Sequence, residues 1–398
     1  MSDHSRRCTL ALAGLFSFST LFMPSSGAGQ EVSLVAGGDI EWSRFTKAPD
    51  IYLDPAARPE GGWMQVPYLN GETERRYLEG TGRVLETPRT HHIAAIRYDL
   101  TFSSGEDEAR YPFRNIAPLL READIAFANL ETPLSDKARH GGAFRTPTAF
   151  ADALRWAGID VVSTANNHAL DAEGEGLLDT REALWKAGVG GVGTGRTLAE
   201  ARRPFILERN GMKVGFLGYS QFVNGGTSAF AQEDRSGVAP LDPFIIEEDI
   251  RLLRDQVDYV VVSFHWNIEN SQDTHPDARA FAHRIIDAGA DVILGTHPHV
   301  PRGVEVYKGK VIFYSLGNFI FGHNHDYWMN NYLARLTLTP SGIPQVEILP
   351  ISGRANNLSQ PLLLEGAEAD DLLKDIQART RLLDTSMEIR GNVGIIRP

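Results

Sequence analysis

The side chains best suited to chemistry stand where short apolar runs stop. Val292-Ile293-Leu294 gives way, past Gly295 and Thr296, to His297-Pro298-His299. The device recurs. Val32–Ala36 leads to Asp39 and Glu41, Asp124–Ala128 to Asn129 and Glu131, Ile159–Ser163 to Asn166-Asn167-His168, and Tyr259–Phe264 to His265. Imidazoles and carboxylates in one set suit Mn, Fe or Zn better than Mg or Ca. Two divalent ions need about four protein ligands each, often with one carboxylate shared. Asp39, Glu41, Glu131, Asn167, His265, His297 and His299 are the candidates. Such ions polarise a phosphoryl oxygen and bring the pKa of a bound water toward about 7. His168, beside a candidate ligand, is placed to protonate a leaving oxygen, and Asp171, three residues on, to orient its ring.

These residues need elements to gather them. Between the apolar runs lie helical patterns at Phe113–Glu122, Thr148–Ala157, Gly174–Ala187, Ile245–Gln256 and Pro276–Ala288. Short strands alternating with helices indicate βαβ units and a largely parallel sheet, whose ligands gather at the carboxyl ends of the strands. The polar clusters fall at those ends, so five strand ends are expected to build one site. After Gly303 the runs shorten (Val304–Tyr307, Val311–Ser315, Tyr332–Leu338, Val346–Ile351), which predicts antiparallel pairing and a second sheet layer. Residues 366 to 385 read as an amphipathic helix. Ser43 to about Asp99 is rich in Pro, Gly and charge and reads as an insertion able to cover the site or bind substrate. Taken singly, each residue has an ordinary explanation: Asp39 a turn, Asn129 and Glu131 a helix cap and a solvated acid, His265 a satisfied core histidine. It is their joint order at strand ends that points to a site.

The ordered motifs GD, NLE, NNHxxD, HW, GxHPH and YSLGNF resemble those of the capsule-synthesis CapA family, itself similar to the calcineurin-like metallophosphoesterases. The stretches that carry the likeness are Glu31–Ile40 and about Tyr111 to Phe321, including AFRTPTAF (143–150), STANNHALDAEGEGLLDT (163–180), FLGYS (216–220) and YSLGNFIF (314–321). The resemblance implies a calcineurin-like α/β sandwich with a mixed sheet and added C-terminal strands. It implies Asp39 as a first-strand ligand, Glu131 in the bridging place, and Asn167, His265, His297 and His299 as further ligands of two divalent ions. His168 would be the acid or transition-state stabiliser. Asn129, Arg145 and Asn318 are candidate substrate contacts, Arg145 by clamping an anionic group through two parallel hydrogen bonds. The usual phosphoesterase has Asp-x-His on its first strand, whereas this chain has Asp39-Ile40-Glu41. Two functions therefore stay open: a metal-dependent hydrolase of a phosphoester or anionic surface polymer, and a polymer-binding or assembly component that keeps the pocket without turnover.

Composition narrows the field. The 398 residues carry a net charge of −12, which argues against a nucleic-acid partner and leaves an anionic substrate to be met by local cations. Capsule or envelope assembly proteins are the partners the resemblance suggests. Arg6-Arg7, an apolar stretch from Leu10 to Met23 and Ser26-Gly27-Ala28 read as an export signal over residues 1–28, periplasmic or extracellular in destination. SRRCTLA is similar to a twin-arginine signal, and a retained membrane anchor is the alternative. The expected layout is then a main domain over 29–361 and a C-terminal helix and tail over 362–398. The single cysteine, Cys8, lies in the leader, so the mature chain would hold a metal by His, Asp, Glu or Asn alone. GVGTG (191–195) is no dinucleotide fingerprint, since Arg196 stands at the third glycine position, and Ser220 lacks the frame of a serine hydrolase.

Overall fold

The computed structural model describes residues 30–41, 104–136, 144–224, 229–321, 330–353 and 360–398, with the backbone alone of 65–66, 91–94 and 324–325. The leader and nearly all of the 43–99 insertion lie outside the described residues. Strands β1 (Val32–Glu41), β2 (Ile125–Leu130), β3 (Val161–Ser163) and β4 (Gly190–Val192) run parallel in a first sheet. The chain then crosses to a second sheet with β5 (Phe205–Arg209), β6 (Met212–Ser220), β7 (Tyr259–His265), β8 (Val292–Thr296), β9 (Val304–Tyr307) and β10 (Lys310–Phe313). It returns to the first with β11 (Asn318–Phe321), β12 (Asn331–Thr339), β13 (Gly342–Ile351), β14 (Glu388–Arg390) and β15 (Val393–Ile396).

The first sheet is ordered β14-β15-β13-β12-β1-β2-β3-β4, with β11 joining the end of β1 in parallel. The second is ordered β9-β10-β8-β7-β6-β5, parallel through its middle with antiparallel edges. The strands after Gly303 do pair antiparallel, but they are shared between both sheets, and β5 and β6 complete the second. Phe205–Arg209 gave no apolar run because, as an edge strand, it alternates between partly buried and exposed positions. The helices Phe150–Ala157, Glu173–Ala187, Pro243–Arg254 and Pro276–Asp287 stand where expected. The expected Phe113–Glu122 helix is instead a 3-10 turn, Tyr111–Phe113, followed by Ala117–Glu122. Past residue 362 lie helix Gly366–Arg381 and the two strands that widen the first sheet.

Strand side chains alternate between faces, and here both faces are buried. Val32, Leu34 and Ala36 of β1, Tyr259 and Val261 of β7, and Val292 and Leu294 of β8 meet in the core between the sheets. Phe127 stacks on Phe216 across that core with centroids 5.9 Å apart. The intervening residues face outward under helices. Val35, Ala126 and Val162 pack against Phe150, Ala153 and Leu154, while Val260, Val262 and Ile293 pack against Ile246, Ile250, Ala282 and Ile285. The molecule is thus an α/β/β/α sandwich, which explains why its central strands read as unbroken apolar runs.

Two glycines let the site end of the sandwich close. A Cβ on Gly38 would lie 1.8 Å from the Gly317 carbonyl oxygen, and Asp39 N donates to that oxygen at 3.0 Å. Gly317 itself has φ +70°, which a side chain rarely tolerates. The pairing of β1 with β2 shifts between Ala36 and Asp39, and its pairing with β11 shifts between Asp39 and Ile40. Such irregularities re-aim a side chain, and this one sits at the first candidate ligand.

Candidate functional site

The carboxyl ends of β1, β2 and β3 in one sheet, and of β7 and β8 in the other, meet in one cleft. Asp39 is its fixed point. Its Oδ1 accepts from Asn129 Nδ2 at 2.8 Å and its Oδ2 from the His297 backbone N–H at 3.2 Å. Asn129 is held in turn by Asn166, whose Nδ2 donates to Asn129 Oδ1 at 3.3 Å and to the Leu130 carbonyl at 2.8 Å. Asn166 and Asn167 are therefore more than a turn: one braces the first sheet and the other faces the second.

His265, fully buried at the end of β7, is the hub of that second half. Its Nδ1 lies 3.1 Å from Thr296 Oγ1. Its Nε2 lies 2.8 Å from Asn167 Oδ1, 3.0 Å from His297 Nδ1 and 3.5 Å from Glu131 Oε1. His299 Nδ1 lies 2.9 Å from Asn318 Oδ1 and 3.4 Å from Asp39 Oδ2, and its Nε2 lies 3.9 Å from Glu131 Oε1. His297 and His299 both adopt positive φ, +93° and +58°. Non-glycine residues held there cost about 1–3 kcal/mol each and cluster at functional sites. The Pro298 between them helps fix that turn.

The electrostatics are those of a place short of positive charge. Asp39, Glu41 and Glu131 are all fully buried. Burial, then the negative charges of Asp39, Glu269 and Glu41, push the Glu131 carboxyl well above the ordinary range. Burial and the neighbouring rings push His265 and His297 well below the usual imidazole value, which favours the uncharged ring. For His299, burial acts downward but the Asp39 carboxylate outweighs it and raises the ring. Both Glu131 oxygens lack a hydrogen-bond partner. A buried carboxylate costs several kcal/mol unless paired or metal-bound.

Three overlapping groups bring their ligand atoms within 4.8 Å of one another: Glu131, His265 and His297; Asp39, Glu131 and His299; and Glu269, His297 and His299. Glu131 is common to the first two. The donor set and the two orphaned oxygens fit a divalent cation. Glu41, the last residue of β1, is buried and acts electrostatically on Glu131, but it joins none of the three groups among the described residues.

At the mouth, His168 Nδ1 lies 2.7 Å from Asp171 Oδ2, which also accepts from the Phe144 backbone N–H at 2.9 Å. The Phe144 ring covers His168 with centroids 4.1 Å apart, and Arg145 follows it, half-buried. Asn318 is buried with its Nδ2 unpartnered, a donor available to a bound anion. Asn224, which no pattern in the sequence marked, donates to Asp171 Oδ1 at 3.3 Å, and its backbone N–H to the Asn167 carbonyl at 2.9 Å. Glu269 was also missed. It follows His265 by four residues in an aperiodic loop, where a glutamate ordinarily means solvent. No helix among the described residues is long and apolar enough to cross a membrane.

Fold and site together define an α/β sandwich protein with a buried carboxylate–imidazole cleft whose donor atoms lie close enough together to suit a divalent cation. The particular family follows from comparison. The profile of the family described as "Bacterial capsule synthesis protein PGA_cap" matches residues 82–323, and the chain belongs to that family. It is 33% identical over 248 residues to the PGA biosynthesis protein CapA of Bacillus subtilis (strain 168), covering 60% of this chain and 64% of that protein. The chain thus spans less than two thirds of that relative's length. It is also 33% identical over 349 residues to a protein of Mycobacterium tuberculosis (strain ATCC 25618 / H37Rv) described as "Probable polyglutamine synthesis accessory protein Rv0574c", covering 82% of this chain and 86% of that one. Among solved structures, the calcineurin-like phosphoesterase YfkN from Bacillus subtilis overlaps 84% of this chain and 89% of its own at 15% identity and a TM-score of 0.35. That overlap is loose, and the chemistry below rests on this chain's own residues.

Proposed function

We propose that this chain is an exported accessory protein of capsule or surface-polymer synthesis, of the poly-γ-glutamate type, acting as a hydrolase dependent on two divalent cations. The observation that carries the reading is Glu131: fully buried, both oxygens unpartnered, ringed by His265, His299 and a second buried carboxylate, Asp39. Asp39, Glu131 and His299 would hold one cation, and Glu131, Asn167, His265 and His297 the other. Cations there supply Lewis acidity toward an ester or amide oxygen and a water nucleophile at neutral pH. The protein's own groups do the rest. Asp171 Oδ2 accepts a hydrogen bond from His168 Nδ1–H, which leaves Nε2 to exchange a proton with the leaving group. The Phe144 ring keeps that imidazole in one orientation. Asn318 Nδ2, buried and without a hydrogen-bond partner, and Arg145 would meet the anionic part of a phosphoester or polymer.

A second reading is favoured by residue 41. With Glu41 outside the donor groups, one cation position lacks the imidazole that hydrolases of the resembling class place there. In this reading the chain binds the polymer or its assembly machinery and turns nothing over. Elemental analysis of the purified protein, paired with hydrolysis of a chromogenic phosphodiester with and without manganese, separates the two. Two metals with metal-dependent turnover support the hydrolase. Bound metal and polyanion binding without turnover of esters support the binding role, and no metal after reconstitution overturns both. Export is tested by fractionating cells that carry the full chain against a chain whose Arg6 and Arg7 are replaced by Lys.

A further inference from the structure

Glu269 stands outside every expected ligand set, yet its carboxylate gathers with ring nitrogens of His297 and His299 within 4.8 Å. Nothing about its position is casual. The loop from Trp266 to Ser271 is anchored at each step: Trp266 N to the Thr296 carbonyl at 3.1 Å, Asn267 N to Gln221 Oε1 at 2.9 Å, and Asn270 N to the Pro298 carbonyl at 2.7 Å. Beneath it lies Arg302, 1% exposed, whose guanidinium donates to the Ser271 carbonyl at 2.7 Å and the Ile268 carbonyl at 3.1 Å. Asn267 and Asn270 take positive φ on either side of Glu269, +73° and +54°, facing the two strained histidines across the Asn270–Pro298 hydrogen bond. A buried arginine and four left-handed residues are a large outlay of backbone strain and desolvation for a surface glutamate.

The same cleft holds an independent observation that suits a cation, the two orphaned oxygens of the fully buried Glu131. We propose that Glu269 is a metal ligand of this chain, a carboxylate delivered from the loop after β7 to the cation shared with His299. The inference rests on the metal-centre reading above and adds one residue and one loop to it. Arg302 is then a positioning residue: it holds the loop that presents the carboxylate.

The test is isothermal titration of manganese(II) chloride into the chelator-stripped full-length mature protein, with metal counted by elemental analysis. Wild type should bind two ions. Glu269→Gln should lose one, or weaken one of the two binding phases by at least about 10–100-fold, the range seen when even an indirect metal contact is removed. Glu269→Asp should recover part of that loss, and Glu247→Gln, a half-buried carboxylate on helix Pro243–Arg254, should match wild type. Two ions in wild type and unchanged binding in Glu269→Gln overturn this inference and leave the metal centre intact. No ion in wild type overturns the metal centre and this inference together. Should Glu269→Gln not fold, judged by metal-free melting, the cobalt(II) absorption spectrum of Glu269→His decides. Shifted bands support ligation by residue 269, and bands identical to wild type overturn it.

Discussion

Two buried glutamates in this molecule meet opposite fates. Glu305, 1% exposed on β9, is completely answered. Its Oε1 takes Arg279 Nε at 2.8 Å, Arg279 Nη2 at 2.7 Å and His283 Nε2 at 2.9 Å, and its Oε2 takes the Tyr314 hydroxyl at 2.6 Å. Glu131, fully buried at the end of β2, has no partner on either oxygen and two buried carboxylates for neighbours. The carboxylate that ties helix Pro276–Asp287 to the second sheet is satisfied by protein; the one at the end of β2 is not. The difference teaches how to tell structural from functional burial: count what each lone pair receives, not how deep the group lies.

That contrast can be broken in order of size. Glu131→Gln should abolish metal content and all metal-dependent turnover, read by elemental analysis and phosphodiester hydrolysis; retained metal would put the orphaned oxygens down to packing alone. His168→Ala should lower turnover by about 10²–10⁴-fold with metal content unchanged, the range of a lost general acid; a fall in metal would reassign it as a ligand. Glu305→Gln should cost about 2–3 kcal/mol in denaturant unfolding, toward the low end for breaking a buried pair because Arg279 keeps a third of its exposure, and should leave metal binding alone.

The smallest effect is in pH. A carboxyl whose folded value is raised binds more protons folded than unfolded, so stability falls as pH climbs from the ordinary carboxylate range toward that raised value. Metal-free wild type should therefore lose stability over that window, and Glu131→Gln should lose less. Equal slopes in their melting temperatures would mean that Glu131 keeps an ordinary titration in the empty cleft.

Much of this was legible in the sequence, for a physical reason. Central strands buried on both faces give continuous apolar runs, and a polar residue directly after such a run has nowhere to go but the strand end. Asp39, Glu131, Asn167, His265, His297 and His299 were readable on that ground. What was not readable is that the five strand ends belong to two different sheets, because an apolar run looks the same in either. Edge strand Phe205–Arg209 hid behind its half-exposed pattern. Glu269 and Asn224 hid because loop residues carry no periodicity; only the backbone anchors around Arg302 and the register of Asn224 against Asn167 reveal them. The segment 43–99 lies almost entirely outside the described residues, so its reading as a cover stays an expectation.

The hydrogen bond from His297 N to Asp39 Oδ2 spans 258 residues of chain. Closing a loop of that length is slow and comes late when the intervening strands must order first. A chain emerging from its N-terminus presents Asp39 early and His299 only after three quarters of its length, so no shorter fragment can hold a cation across the two sheets. In the proposed metal centre, capture of metal would report that the second sheet has reached the first. A pulse-labelled chain should gain resistance to chelator only after the second sheet has docked on the first.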